Sequence, residues 1–155
     1  MEIQVEFPEN PDADFLQFYT TVLLEGLFTA PIAMSIQQVP SATLAYLGDA
    51  VYELYIRTQY SLPPKRIHAY HQQVVAQVRA EAQAQHLRSL HPHLTSAELE
   101  ILRRGRNSAS SGPKRLEPEI YQQATSLETL IGYLYLTDRP RLIQILTYLQ
   151  LPPAP

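Results

Sequence analysis

The chain has 155 residues, of which 45% are hydrophobic and 17% are charged, so its composition excludes a disordered protein and fits one domain around one core. The sequence contains no cysteine, which excludes disulfides and zinc–thiolate sites and is compatible with a reducing cytosol. The net charge of −3 argues weakly against a nucleic-acid partner, but every Lys and Arg lies at or after Arg57, whereas the sequence before it is acidic.

The first part of the chain contains a predicted lead-in and one predicted helix. Residues 1–13 are acidic and interrupted by prolines, which predicts an extended segment. Helical periodicity follows over about residues 14–29. Residues 15–34 are strongly apolar, yet they include Glu25 and no Lys or Arg precedes them. We therefore expect an amphipathic helix there rather than a signal peptide or a transmembrane span.

Two helices are predicted in the middle of the chain. The first covers residues 42–60 and is apolar on nearly all sides, which predicts a buried, central helix. Pro63-Pro64 ends it, and a long second helix is predicted over residues 66–90, which contain neither Gly nor Pro. The predicted core face of the first helix consists of Leu44, Leu47, Val51, Leu54 and Tyr55.

A capping-box pattern and a run of loop-forming residues follow. Thr95 and Glu98 have the spacing of a capping box, which predicts a helix from there to about Arg104. Residues 105–116 contain two Gly, three Ser and one Pro, which predicts a flexible loop. The loop and the end of the preceding helix form a basic segment, which contains Arg103, Arg104, Arg106, Lys114 and Arg115.

The last two predicted helices complete an all-α fold. One covers about residues 118–136 and has a proline in its opening turn, and the other covers about residues 138–148 with Asp138 as its N-cap. No segment alternates in the manner of a strand. The sequence therefore predicts one all-α domain over residues 14–150, followed by a proline-rich tail at residues 151–155.

Two acids on the predicted central helix are candidates for chemistry. Asp49 and Glu53 are one helical turn apart and lie on one side of the helix. A buried carboxylate without a partner becomes protonated rather than staying charged. Either a cation meets these groups or this face of the helix is open to solvent, and the sequence leaves both alternatives open.

Another carboxylate candidate is Glu128, in the otherwise apolar helix near the end of the chain. Its face includes small residues at positions 124, 125 and 132, and Gly48 lies beside Asp49, so these two helices have room to approach closely. One carboxylate from each helix would suit a hard cation such as Mg²⁺, which prefers oxygen ligands and keeps several waters. A structural or solvated role for each acid is the alternative.

The basic segment and the histidines also have competing interpretations. Cations on a flexible Gly/Ser stretch suit a phosphate backbone, but they equally suit a solvated loop. The histidines do not follow a zinc motif and no GxSxG motif is present, so a zinc site and a serine hydrolase are both disfavoured. The histidines considered for a zinc site are His68, His71, His91 and His93.

Four segments resemble the ribonuclease III family. LAYLGDAVYELYIR (residues 44–57) is similar to the family signature LEFLGDAVLE, and ATSLETLIGYLYL (residues 124–136) is similar to its second motif. RRGRN (residues 103–107) and VRAEAQA (residues 78–84) resemble segments of the short, Mini form of the family. The resemblance covers about residues 41–150, and the family order of the four segments makes it more specific than a single motif.

The resemblance implies that Asp49 and Glu128 are catalytic residues and bind the metal cofactor Mg²⁺. Ala45 and Thr125 stand where the larger members carry further acids, and both substitutions fit the Mini form. Together with the charge of the basic segment, the resemblance leads us to expect RNA contacts by Arg103, Arg104, Arg106, Asn107, Lys114 and Arg115. Three further residues match family positions without an assigned role, namely His71, Val78 and Gln83.

The activity implied by the resemblance is hydrolysis of phosphodiesters in double-stranded RNA, which leaves 5′-phosphate and 3′-hydroxyl ends. The implied substrate is the precursor of large-subunit (23S-type) ribosomal RNA, and the implied enzyme is a cytoplasmic homodimer, with a ribosomal protein as a candidate helper. We expect no double-stranded-RNA-binding domain. The alternatives are an inactive helical RNA-binding or ribosome-assembly module and a protein-interaction domain without affinity for RNA.

Overall fold

A computed structural model of the chain describes residues 34–110 and 112–153. Within these residues it contains six α-helices, two short 3-10 helices and no strand, which confirms the all-α prediction. The predicted lead-in, the predicted first helix and the apolar stretch up to residue 33 lie outside the described residues. No helix in the described ranges combines the length and the apolar character needed to cross a membrane. The domain boundary at residue 14 stays a prediction.

Local sequence signals account for most of the helix ends. Pro63-Pro64 follows the first helix, and Thr95 and Glu98 form the predicted capping box, with Thr95 Oγ1 accepting from the Glu98 backbone N–H at 3.2 Å. Asp138 Oδ1 accepts from the Arg141 backbone N–H at 3.0 Å and caps the last helix. The helices are α1 (Ser41–Ser61), α2 (Ile67–Val78), α3 (Ala80–Leu90), α4 (Ser96–Ser108), α5 (Pro118–Thr137) and α6 (Arg139–Thr147).

Helix α5 lies at the centre of the described fold. Helix α1 packs against it most extensively, and α4 and α3 cover further sides. Leu127, Leu130 and Ile131 on α5 have no exposed surface. Complete burial of such a side chain stabilises the fold by about 1.5–3 kcal/mol, so α5 supplies much of the core and fixes the positions of the helices around it.

Helix α1 is buried along one side only, which corrects its predicted core face. The buried residues of α1, which pack against α5, recur about every four positions. By contrast, Leu54 is 56% exposed and Tyr46 is 85% exposed. A helix that is apolar on nearly all sides does not show which side packs, so Leu54 was wrongly predicted as a core residue. Of the other predicted residues, Leu44 is buried, and Leu47, Val51 and Tyr55 are partly buried.

The predicted long helix over residues 66–90 is two helices, so that prediction is wrong. The backbone leaves the helical conformation at Arg79, where φ is −68° and ψ is 154°. Neither Gly nor Pro marks this break. The break frees carbonyl groups at the end of α2, and two buried side chains donate hydrogen bonds to them. A hydrogen bond from α1 and one from the start of α3 therefore stabilise a break that the local sequence does not signal.

Helix α4 is longer than predicted and continues to Ser108. The predicted loop over residues 105–116 therefore begins too early. Gly105 does not end the helix, because it lies against α5, where a β-carbon at this position would be 2.6 Å from Thr129 Oγ1. The glycine serves a close helix contact, and the connector to α5 begins after Ser108.

Candidate active site

Two glycines allow α1 and α5 to cross with their backbones in contact. A β-carbon added at Gly48 would collide with the Glu128 carbonyl and would lie 2.8 Å from the Gly132 nitrogen. A β-carbon added at Gly132 would collide with the Leu44 carbonyl. Because Gly48 precedes Asp49, the crossing point lies beside both acids of interest. The helices meet through small residues, as their sequences indicated.

Asp49 and Glu128 line one open cleft with a volume of about 410 Å³. Helix α1 contributes Asp49, helix α5 contributes Glu128, and the start of the α4–α5 connector forms another wall. Ala45 and Thr125, which stand at the positions of the further acids of the larger family members, line the same cleft. The other lining residues are Ala42, Tyr46, Ser108, Ala109, Ser110 and Tyr121.

The two carboxylates oppose each other electrostatically. Burial, and then the charge of Asp49, raises the pKa of Glu128 from 4.5 to about 7, and a hydrogen bond from the Gln83 side chain offsets part of this increase. Partial burial, and then the charge of Glu53, raises the pKa of Asp49. No Lys or Arg of the described residues lines the cleft. The protein therefore holds two acids together without supplying a cation.

Glu53, the other acid predicted on α1, lies outside this cleft. Its carboxylate is half-exposed and forms an ion pair with Arg57, one turn further along the helix. Exposed pairs of this kind contribute about 0–1 kcal/mol to stability. Asp49 and Glu53 lie on one side of the helix in sequence, but their surroundings differ, because only Asp49 lines the cleft with Glu128.

The donor groups of the cleft fit a hard divalent cation such as Mg²⁺. They are two carboxylates and several hydroxyls, and oxygen ligands are what Mg²⁺ prefers. The hydroxyls belong to Tyr46, Ser108, Ser110, Tyr121 and Thr125. Among the described residues, no group of three or more His, Asp or Glu side chains is placed to hold a metal. Two protein carboxylates and several waters form a usual ligand set for Mg²⁺. A cation between the carboxylates would also remove the repulsion that raises the pKa of Glu128.

The structure divides the predicted RNA-binding residues between a helix and a turn. Arg103 is held by Glu100, which accepts hydrogen bonds from Nε at 2.8 Å and Nη2 at 2.6 Å. Arg103 and Arg106 line a second cleft of about 370 Å³ with Arg88, and not the carboxylate cleft. The helical residues are Arg103, Arg104, Arg106 and Asn107, and the turn before α5 contains Lys114 and Arg115.

Several lining residues carried no clear signal in the sequence. Ser108 and Ser110 seemed to be loop residues, and only the end of α4 brings them to the carboxylate cleft. Tyr121 is an exception, because it is two helical turns before Glu128 and this spacing predicts that both lie on the same face of the helix. Arg88 is the only cation of α3 and belongs to no motif, so sequence reasoning missed its place beside Arg106.

The histidines lie apart from the carboxylate cleft. His68 and His71 are exposed on α2, and His93 stacks on the ring of Tyr148 with 4.3 Å between ring centroids. His86 is buried and lies with Nδ1 2.7 Å from the Tyr52 hydroxyl. These contacts are packing and hydrogen-bonding interactions of the core and its rim.

Known proteins share the sequence and fold that form this cleft. Residues 42–139 match the Ribonuclease III domain family. The chain is 55% identical over 138 residues to Mini-ribonuclease 3 of Synechocystis sp., covering 89% of this chain and 96% of the relative. It is 54% identical over 115 residues to Mini-ribonuclease 3 of Thermosynechococcus vestitus, covering 74% and 76%. A crystal structure of a Fusobacterium nucleatum protein superposes with a TM-score of 0.66 at 30% identity, covering 72% of this chain and 92% of that one. The chain therefore belongs to the ribonuclease III family, in its Mini-ribonuclease 3 branch.

Proposed function

We propose that the chain is an endoribonuclease that hydrolyses double-stranded RNA with Mg²⁺ bound by Asp49 and Glu128. The observation that carries this proposal is the pair of carboxylates in one cleft without a basic neighbour, in a member of the ribonuclease III family. A role in stability does not account for the pair, because Glu128 is mostly buried and its nearest charged neighbour, Asp49, has the same sign, which opposes folding.

In this proposal, Asp49 and Glu128 hold the cation from two helices whose separation the glycine crossing fixes. When bound, the cation polarises a phosphoryl oxygen and lowers the pKa of the attacking water. Hydrolysis breaks the bond between phosphorus and the 3′ oxygen, and the oxygen of water stays on phosphorus. The products are a 5′-phosphate and a 3′-hydroxyl. The cleft walls would orient the backbone so that one phosphate meets the cation that the two carboxylates would hold.

The basic segment is proposed to bind the phosphate backbone of the duplex, because A-form RNA is recognised chiefly by its shape and its sugar-phosphate groups. Arg103 contributes least, since Glu100 neutralises it. Replacing the other basic residues of the segment by alanine should reduce the slope of log K for duplex binding against log salt concentration. The expected reduction is about 0.9 for each phosphate that the protein no longer binds. An unchanged slope would mean that the segment is only solvated. The full set is Arg103, Arg104, Arg106, Asn107, Lys114 and Arg115.

We also propose a homodimer. Tyr46, Ala50 and Leu54 form an exposed, largely apolar stripe on α1 beside Asp49, and a second copy would cover it through a two-fold contact. Each protomer carries a complete carboxylate pair, so the two sites of a dimer would cut opposite strands. A mixed dimer with one Glu128→Gln subunit should therefore nick a duplex on one strand. A monomer at micromolar concentration in sedimentation would contradict the dimer.

The proposal includes the large-subunit ribosomal RNA precursor as substrate, assistance by a ribosomal protein and a cytoplasmic location. These three points rest on the family resemblance alone. The rival function is an inactive RNA-binding or ribosome-assembly module, and the observation that favours it is the presence of Ala45 and Thr125 in the cleft, where acids stand in the larger members.

Cleavage of a long RNA duplex with and without Mg²⁺ separates these functions. Asp49→Asn and Glu128→Gln keep the side-chain volumes and remove the charges, so each should abolish cleavage while the fold stays intact. Glu53→Gln is the matched control, since Glu53 is on the same helix but pairs with Arg57 and lies outside the cleft. Wild-type turnover by either cleft variant would overturn the assignment of the site, and no cleavage by the unmodified protein would support the rival.

A further inference from the structure

Residues of α3, α4 and α5 line the second cleft, and its charged side chains are all arginines. Arg88 comes from α3, and Arg103 and Arg106 come from α4. The lining also contains the buried apolar side chains of Leu87 and Leu102, which are 9% and 8% exposed. A cleft with apolar walls and charges of one sign focuses the field of those charges and concentrates ions of the opposite sign. The second cleft therefore has the character of an anion site.

Only one of these arginines is paired with an acid. Glu100 accepts two hydrogen bonds from Arg103 and neutralises it. In the part of the chain that the structure describes, Arg88 and Arg106 form no ion pair. Two guanidinium groups at one cleft therefore keep their full charge.

A chain of hydrogen bonds orients Arg88. Its Nη1 donates to Gln123 Oε1 at 2.8 Å, and Gln123 Nε2 donates to Glu119 Oε1 at 3.3 Å. Glu117 and Glu119 line a neighbouring cleft with Arg88, but the group that accepts from Arg88 is the neutral amide of Gln123. The amide orients the guanidinium group and leaves its charge in place. The remaining N–H groups of Arg88 have no partner among the described residues, and their planar fork matches the oxygens of a phosphate.

The end of α4 lies between the second cleft and the carboxylate cleft. Arg106 lines the second cleft, and Ser108, two residues further along α4, lines the carboxylate cleft. Two residues span only about 3 Å along a helix axis. An RNA backbone with one phosphate in the carboxylate cleft would therefore bring a further phosphate to the arginines.

We propose that the second cleft binds one phosphate of the RNA backbone, which Arg88 and Arg106 hold together. Arg88 is then an RNA-binding residue outside the basic segment and outside the four segments that resemble the family. This inference rests on the proposed function, because the phosphate belongs to the RNA duplex. Free inorganic phosphate presents the same oxygens, so the experiment has to separate the two sources.

Arg88→Gln tests the site, because it removes the charge of an exposed side chain and leaves the core unchanged. Binding to a long RNA duplex is measured by fluorescence anisotropy in a chelator, so that the RNA stays intact. We expect Kd to rise by about tenfold, the effect of losing a hydrogen bond between charged groups. With Mg²⁺, KM should rise by the same factor while kcat keeps its wild-type value, because Arg88 does not line the carboxylate cleft.

Arg57→Gln is the matched control. It removes the same charge, but Arg57 pairs with Glu53 and lines neither cleft. We expect wild-type Kd and KM. Wild-type affinity for the duplex in Arg88→Gln, or an equal loss in Arg57→Gln, would overturn the site.

The double variant with Arg88→Gln and Arg106→Gln tests whether the two arginines share one phosphate. The slope of log K against log salt concentration should fall by about 0.9, the value for a single phosphate. A fall of about twice that value would mean that each arginine binds its own phosphate, which would overturn the shared site.

Isothermal titration calorimetry with inorganic phosphate separates the two sources. We expect the wild type and Arg88→Gln to bind inorganic phosphate equally weakly. Loss of phosphate binding in Arg88→Gln, together with unchanged duplex binding, would assign the cleft to free phosphate and overturn its assignment to RNA. A wild-type protein that binds the duplex through Arg88 without cleaving it would refute the proposed function and leave this site in place.

Discussion

Glu98 and Glu128 are acids that the fold removes from most of the solvent, and their surroundings are opposite. Glu98 is 6% exposed, and its carboxylate accepts from the Thr95 backbone N–H and from two nitrogens of Arg141, at 2.7 and 3.0 Å. The hydrogen bond from Arg141 outweighs burial and lowers the pKa of Glu98. The charged neighbour of Glu128 is Asp49, and the pKa of Glu128 is raised to about 7.

The difference shows that ionised Glu98 stabilises the fold, whereas ionised Glu128 destabilises it. Glu98 caps α4 and ties it to α6 through Arg141, so its charge contributes to folding. Glu128 is held beside a like charge, which is unfavourable unless a cation binds between the two acids. An acid that lacks a counter-charge therefore indicates function more strongly than burial alone does.

The largest effect should come from giving Glu128 the partner that Glu98 already has. Thr125 lines the cleft, so Thr125→Lys would place an ammonium group near the carboxylates. We expect cleavage to fall by about a thousandfold, because the ammonium group would exclude the proposed cation, and a metal ion in such a site contributes several kcal/mol to the reaction. The melting temperature without metal should rise. Thr125→Met is the uncharged control, and equal cleavage by the two variants would contradict the prediction.

Removing the partner of Glu98 should affect stability and leave chemistry unchanged. Arg141→Met leaves a buried carboxylate without its cation, which should lower the free energy of unfolding by about 3 kcal/mol. For a chain of this size the melting temperature falls by about 6–12 °C. Turnover below the transition should not change. Arg103→Met is the control, because the exposed Arg103–Glu100 pair should contribute almost nothing.

The last prediction is a difference in pH dependence, measured by thermal unfolding of Glu98→Gln and Glu128→Gln in a chelator. Because the folded pKa of Glu98 is lowered, its stabilisation is present above the unfolded pKa near 4.5 and is lost as the pH falls through the folded pKa. Because the folded pKa of Glu128 is raised, its penalty is absent below 4.5, grows as the pH rises to about 7 and is then constant.

The two variants should therefore deviate from the wild type in opposite directions. Glu98→Gln should be less stable than the wild type at neutral pH and approach it in acid. Glu128→Gln should become more stable than the wild type between pH 4.5 and 7, by at most about 1.4 kcal/mol for each pH unit. Parallel curves for the two variants would show that the acids are equivalent after all.

The sequence predicts those features that depend on neighbouring residues. Thr95 and Asp138 mark helix starts because their side chains bond the backbone three residues later. Gly48, beside Asp49, and Gly132, one turn after Glu128, indicate a close helix contact because small residues let two helix backbones approach each other. The fold class and the pairing of Asp49 with Glu128 follow from such local patterns together with the family resemblance.

The features that the sequence does not predict depend on distant residues. The break at Arg79 is stabilised by the Tyr52 hydroxyl, which reaches the Gln77 carbonyl from α1, and no periodicity connects these residues. The exposure of Leu54 depends on which side of α1 meets α5. The length of α4 depends on Gly105 lying against α5, where the same residue in isolation would indicate a loop.

The crossing of Gly48 and Gly132 also determines which mutations the cleft tolerates. Main-chain atoms meet there, so the distance between α1 and α5 is set by atoms that every residue type shares. Exchange of Leu127 or Leu130 for another apolar residue changes core volume without moving this contact. Substitutions can therefore accumulate across much of the interior over evolutionary time while the span between Asp49 and Glu128 stays constant, whereas a side chain at Gly48 or Gly132 would push the two helices apart.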